Sequence, residues 1–255
     1  DYKASAEVWG RDFPQALLNL EGEGDARGTR IGALVVDVLE GKVEARGRIA
    51  WAPALGWDLT LSARDIDPGA QWPEVPAKIG LELTSTGGLE SFDYSLDGEL
   101  ESAAVPSAKL ALQGSGDQRG TRIANLRLDT LDGHVEGAAE MGWSPQVRWE
   151  AELNAEGIDP GKQWAEWAGV VGGRVASSGT LEDEGPDLNA VIEGLKGTLR
   201  GYPVEAEARV RMKGGEILVE RVNVASGPTR LQAQGSAGER LDLTFDLNSP
   251  DLKSL

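Results

Sequence analysis

The stretch Lys42-Val-Glu-Ala-Arg-Gly-Arg-Ile-Ala-Trp51 decides the fold class. Val43, Ala45, Gly47, Ile49 and Trp51 share one parity, and Lys42, Glu44, Arg46 and Arg48 take the other. A period of two puts the first set on one face of a strand and the second on the opposite face. The alternation recurs along the chain. Val135, Gly137, Ala139, Met141 and Trp143 oppose Glu136 and Glu140. Val204, Ala206, Ala208, Val210 and Met212 oppose Glu205, Glu207, Arg209, Arg211 and Lys213. Phe92, Tyr94, Leu96, Gly98 and Leu100 oppose Asp93, Ser95, Asp97 and Glu99. One apolar and one wet face is the pattern of antiparallel sheet. Glu40-Gly41, Asp132-Gly133 and Gly214-Gly215 separate alternating runs and read as hairpin turns. About seventeen strands of ordinary length are expected.

The chain also repeats itself. Asp25-Ala-Arg-Gly-Thr-Arg-Ile31 returns, without gaps, as Asp117-Gln-Arg-Gly-Thr-Arg-Ile123. The match continues through Trp51 and Trp143, Pro53 and Pro145, and Trp57 and Trp149. It ends on Ile66-Asp-Pro-Gly69 with Ile158-Asp-Pro-Gly161, and Gln71-Trp72 with Gln163-Trp164. A third, diverged copy is read from Phe13-Pro14, Val105-Pro106 and Tyr202-Pro203, and from Ser249-Pro250-Asp251. Repeats of this size are stacked supersecondary units. The reading is one elongated β segment over 1–255, with copies near 4–96, 97–187 and a partial 188–255. One helical signal interrupts it. In Ile158–Gly169, Asp159 is placed to cap and Pro160 to occupy the first helical position, for about two turns. Asp67-Pro68 repeats the start, and Pro73 and Pro76 shorten that copy.

Composition narrows the function. The net charge of −17 argues against nucleic acid, which needs clustered Lys and Arg. An anionic bilayer surface would repel most of the chain. There is no cysteine, so disulfides, zinc-thiolate sites and Cys nucleophiles are excluded. No apolar run reaches the roughly 18–20 residues that span a bilayer. The chain begins at Asp1 with no signal-peptide pattern, and it is read as an internal piece of a longer protein. His134, the one histidine, follows a turn and stands where the first copy has Lys42, so it reads as a solvated turn residue. The carboxylates fall on the wet parity, and no acid pair, Ser-His-Asp set, metal site or cofactor motif is read. Gly22-Glu-Gly24 and Gly114-Ser-Gly116 lack a phosphate-loop pattern and read as strand ends or turns. Trp51, Trp57, Trp143 and Trp149 read as packing at hairpin ends, with contact to a sugar or lipid as the functional alternative.

The unit so described runs strand, Asp/Glu-Gly turn, strand ending [Gly/Ala]-x-[Ile/Met]-x-Trp-x-Pro, then Trp-x-x-x-Leu-x-Ala and Ile-Asp-Pro-Gly. It resembles the repetitive β region of the TamB family, within the wider AsmA-like superfamily. Leu126-Arg-Leu-Asp-Thr-Leu-Asp-Gly-His-Val-Glu-Gly137 is among its clearest stretches. The resemblance implies a long antiparallel sheet curled into an open, taco-like trough with an apolar concave face. It implies a periplasmic protein held in the inner membrane of a Gram-negative bacterium. The outer-membrane barrel TamA is the implied partner, through regions outside this chain. Phospholipid transport and assembly of outer-membrane β proteins are the implied roles, without catalytic residues or cofactor.

The residues expected to line a path for phospholipid acyl chains are those of the apolar parity. In the first copy they are Leu34, Val36, Val43, Ile49, Leu59, Leu61, Phe92 and Leu96. In the second they are Leu126, Leu128, Val135, Met141 and Leu153, and in the third Val204, Val210, Leu243 and Phe245. This parity is rich in Ala, Gly and Val, which leaves room for acyl chains where a self-filled core favours bulk. Two competing readings are a scaffold pairing its edge with strands of outer-membrane clients, and a closed adhesive sandwich with a filled interior.

Overall fold

Alternation over nearly the whole chain produces strands and little else. The computed structural model describes residues 1–10, 14–183, 185–238 and 240–250. Phe13 and Asp251 of the third-copy comparison lie outside them. The fold is all-β, with seventeen antiparallel strands in a sheet that is not closed into a barrel. Helix among the described residues is limited to three 3₁₀ turns, Pro68–Ala70, Pro160–Lys162 and Ala165–Trp167.

Two compact units divide the chain, Asp1–Gln118 and Arg119–Leu255. The first holds β1 (Tyr2–Val8), β2 (Ala16–Gly24), β3 (Gly28–Val38), β4 (Gly41–Ala50), β5 (Gly56–Ile66), β6 (Lys78–Gly88), β7 (Phe92–Glu101) and β8 (Ala108–Asp117). The second holds β9 (Gly120–Thr130), β10 (Gly133–Gly142), β11 (Arg148–Ile158), β12 (Gly169–Glu182), β13 (Gly185–Leu199), β14 (Tyr202–Lys213), β15 (Glu216–Ser226), β16 (Thr229–Ala237) and β17 (Leu241–Asn248). Within each unit every strand pairs antiparallel with its neighbours in the chain.

Equivalent positions of the first two copies make the same hydrogen bonds at three places. Trp51 N donates to Arg27 O (2.9 Å) and Trp143 N to Arg119 O (2.8 Å). Trp57 Nε1 donates to Ser85 Oγ (2.9 Å) and Trp149 Nε1 to Ser177 Oγ (3.2 Å). Asp67 Oδ1 accepts from Gly69 N, and Asp159 Oδ1 from Gly161 N, at 2.8 and 2.9 Å. The helix expected over 158–169 is two separate 3₁₀ turns, because Trp164 stands between them in extended backbone. Asp159 ties this loop down, since Oδ1 also accepts from Gly169 N (3.1 Å), where β12 begins. Replacing Asp159 by Ala removes both bonds and is expected to cost about 1–2 kcal/mol, read as a lowered urea midpoint. Lys162, in the same turn, is held above its ordinary pKa first by its hydrogen bond to Asp132 and then by the charges of Asp132 and Asp159. Its contribution is present below the ordinary lysine range and is lost as the pH rises through the raised value.

The turn read at Gly214-Gly215 falls there, with φ of 55° and 79°, but the other two sit one residue earlier than the Gly pattern predicts. Leu39 and Glu40 carry the positive φ values (50° and 60°), as do Leu131 and Asp132 (52° and 62°), and the glycines open the next strands. Two positive φ values in succession define the tight turn that suits right-twisted strands. Gly41 and Gly133 serve close approach instead. A Cβ on Gly133 would stand 2.4 Å from the backbone of Gly157, and one on Gly41 2.6 Å from Arg64 O.

Candidate functional site: an uncovered apolar face

Residues directly opposite in a ladder share a face, so the registers show what each face carries. In the first unit one row runs Leu20, Leu34, Ala45, Leu61, Leu83, Leu96, Leu112 from β2 to β8. The row beside it runs Leu18, Val36, Val43, Ala63, Leu81, Gly98, Leu110. Ile49 and Leu59 lie in further rows on the same face, and Phe92 pairs with Gly87 and Gly116 there. All eight residues expected to line the path in this unit are thus brought together on one face.

The second unit repeats the arrangement. Leu126, Gly137, Leu153, Val175, Ile192, Ala208, Val222, Ala233 and Phe245 form one row across nine strands. Leu128 pairs with Val135, Met141 with Trp149, and Leu243 with Gly235 on the same face. Val204 and Val210 share it with Ala208 on β14. Bulges such as those between Ile31 and Leu34, or Val219 and Val222, absorb an extra residue and restore the apolar parity beyond it.

Within each unit no other described element covers this face. Within each unit substantial contacts join consecutive strands, apart from the short 3₁₀ turns at the end of β11. Among the described residues the buried apolar side chains are Ala63 and Val204 alone. The accessible surface is 16509 Å², against about 10,800 Å² for a compact folded chain of this mass. A closed sandwich with a filled interior is therefore excluded. Most of the lining residues are half-buried by their row neighbours, while Met141, Leu243 and Phe245 are exposed, Phe245 by 72%.

The opposite face carries the charge. Arg122 pairs with Glu140 (2.9 Å), Arg211 with Glu220 (2.8 Å) and Lys213 with Asp187 (3.2 Å). The cations of these pairs are exposed, though Glu220 and Asp187 are half-buried, and each pair contributes little stability. Arg127 lies between Asp129 and Glu136, and its guanidinium is held above the ordinary value first by the hydrogen bond to Asp129. Substituting Asp for Arg127, which parity alone marks as harmless, would gather three carboxylates; Gln is the neutral control. His134 is half-buried rather than fully solvated, opposite Asp129 and Glu156 on this wet face. Among the described residues no group of three or more His, Cys, Asp or Glu is placed to hold a metal. No helix among them is long and apolar enough to cross a membrane.

Six of the eight tryptophans are exposed, and all six lie in the loops at strand ends: Trp9, Trp51, Trp72, Trp143, Trp164 and Trp167. Sequence parity places Trp51 and Trp143 at hairpin ends but does not show that their rings stay open to solvent.

The geometry defines a class of protein: repetitive antiparallel sheet, open rather than closed, with one charged face and one apolar face that the described residues of each unit leave bare. The chain belongs to the TamB family. The family model described as TamB, N-terminal domain, matches residues 1–91 and again residues 80–255. The chain is 22% identical over 183 residues to the translocation and assembly module subunit TamB of Haemophilus influenzae, covering 71% of this chain and 14% of that protein. No solved structure matches.

Proposed function

We propose that this chain is a segment of a hydrophobic conduit that shields phospholipid acyl chains as they cross the periplasm between the inner and outer membranes. The observation that supports it is the run of apolar rows on a face that no described element of the same unit covers. Moving a sixteen-carbon chain through water costs about 12 kcal/mol, at roughly 0.8 kcal/mol per methylene. An apolar strip removes most of that barrier along its length and needs neither chemistry nor a tight site. The half-buried leucines and valines provide such a strip, and the small residues between them leave space above it. The protein that contains this segment would be held in the inner membrane and work with the outer-membrane barrel TamA, in keeping with a translocation and assembly module.

A photo-crosslinking residue at 128 in the intact protein is expected to yield lipid adducts, and one at 127 is not, because the two point to opposite faces. Mass spectrometry of the adducts and of organic extracts checks this. Adducts at 127 but not at 128 would reverse the assignment of faces. Adducts at neither position would transfer support to the scaffold reading, in which β17 pairs with strands of outer-membrane clients. The features favouring that second reading are the exposure of Leu241 (74%) and Phe245 (72%) on β17, which pairs with β16 alone among the described residues.

A further inference from the structure

The apolar face of the first unit is not uniform from one margin to the other. Near the β2–β3 and β4–β5 loops it is aromatic and hydroxylic. Trp57 and Phe92 stand 5.6 Å apart between ring centroids, and Phe92 and Tyr94 6.1 Å. Tyr2 lies across Gly22, where a Cβ would meet its ring, and its hydroxyl is 2.7 Å from Thr29 Oγ1. Trp57 Nε1 is satisfied by Ser85 Oγ. Toward the opposite margin the face turns purely aliphatic, ending in Ile66, Ile79, Leu100 and Ala108. Rings with a polar tip and an apolar body collect where hydrocarbon meets water. Along β5 the aliphatic stretch from Leu59 to Ile66 spans about 23 Å at the strand rise. That exceeds the length of one leaflet, about half of the roughly 30 Å hydrocarbon core of a bilayer.

Just beyond the aromatic margin stand Arg27 and Trp51. The Asp25 carboxylate accepts from the backbone N–H of Arg27 (2.7 Å) and Gly28 (3.2 Å), which fixes this turn. Trp51 docks on the same turn through its own N–H to Arg27 O and its indole N–H to Ala26 O (3.0 Å). Its ring remains 48% exposed. Arg27 is exposed, and its guanidinium enters no ion pair among the described residues.

We infer that a glycerophospholipid lies along the strands of this unit with a fixed polarity. Its glycerol ester region rests on the aromatic margin, its phosphodiester meets Arg27, and its acyl ends point toward Ile66 and Ile79. The inference rests on the lipid-conduit reading and adds an orientation to it. A monovalent phosphodiester suits a single exposed guanidinium, which gives attraction without a closed cage. The hydroxyls of Tyr2, Thr29 and Ser85 lie in the zone where ester oxygens would sit.

Two probes test it in the intact protein. The first is phosphatidylethanolamine carrying a photoreactive diazirine either beside the glycerol or at the end of an acyl chain. The glycerol-proximal probe is expected to label peptides containing Trp51, Trp57 or Tyr94, and the terminal probe those containing Ile66, Ile79 or Leu100. The second is the Arg27→Glu variant, expected to retain several-fold less of this phospholipid and an unchanged amount of diacylglycerol with the same acyl chains. Equal labelling of both margins by both probes, or the reverse order, would overturn the orientation while leaving the conduit intact. Equal loss of phospholipid and diacylglycerol in Arg27→Glu, or loss of neither, would remove Arg27 as the phosphate contact. No labelling by either probe would overturn the conduit reading itself.

Discussion

Leu61→Asp is expected to reduce lipid transfer by about a hundredfold or more while leaving the sheet folded. Leu61 lies in the middle of the longest leucine row of the first unit, opposite Ala45 on β4 and Leu83 on β6. An acyl chain crossing this point in the wild type meets hydrocarbon on the sheet side. In the variant it meets a carboxylate, which must either be stripped of water at a cost of several kcal/mol or keep its water and hold the chain away. Each 1.36 kcal/mol added to the barrier is a factor of ten in rate. The fold survives because Leu61 is half-buried on an uncovered face, so the charge stays hydrated when no lipid passes. The expected loss of stability is about 1–2 kcal/mol, from the burial that Leu61 gives up. Thr60→Asp is the control. Thr60 faces the charged side, opposite Arg46, where a carboxylate gains a cation and stays in water. Transfer between donor and acceptor vesicles, with the thermal midpoint of each variant, checks both. Wild-type rates in folded Leu61→Asp, or a comparable loss in Thr60→Asp, would contradict an acyl path over this face.

Alternation made the strands and their faces legible, because a period of two survives even where bulges shift the count by one. The repeat was legible for a related reason. The positions it keeps carry structure: Asp67 and Asp159 cap the same loop, and Trp57 and Trp149 reach equivalent serines. Two of the three turns were not legible to the residue. Glycine beside an acid reads as the flexible turn residue, yet Leu39-Glu40 and Leu131-Asp132 take the left-handed backbone and the glycines admit a neighbouring strand. One partner of Arg127 was hidden: Asp129 is its neighbour two residues along β9, on the same parity, but Glu136 meets it across the β9–β10 hairpin, whose register must be known first. The aromatic margin was hidden more deeply. Tyr2, Trp57, Phe92 and Tyr94 are scattered over more than ninety residues, and only the ladders from β1 to β8 bring them to the same side.

Steric obstruction provides a test that does not depend on charge. Gly98 lies in the row between Leu81 of β6 and Leu110 of β8. A Cβ there would meet Leu81 Cδ1 at 3.6 Å, Gly80 O at 3.7 Å and Leu96 Cδ2 at 3.8 Å, all ordinary contacts. A side chain is therefore admitted without backbone strain, unlike at Gly47, where φ is 147° and a Cβ would stand 2.0 Å from Asp58 O. Gly98→Ala is expected to be neutral or to stabilise by about 0.4–1 kcal/mol, through a less flexible unfolded chain. Gly98→Trp adds a large apolar side chain that lies on the face and covers its neighbours, so the fold gains burial rather than losing it. Lipid running over β7 would then have to climb the ring or leave the strip for water. Transfer is expected to fall at least tenfold in Gly98→Trp and to stay at the wild-type level in Gly98→Ala, with thermal midpoints at or above wild type in both. A slowed tryptophan variant alongside a dead Leu61→Asp would mean that space and hydrophobicity are both required along the same rows. If transfer in Gly98→Trp is undiminished while its midpoint shows it folded, the path does not cross β7 on this face, and the apolar rows of the first unit would have to serve protein partners instead.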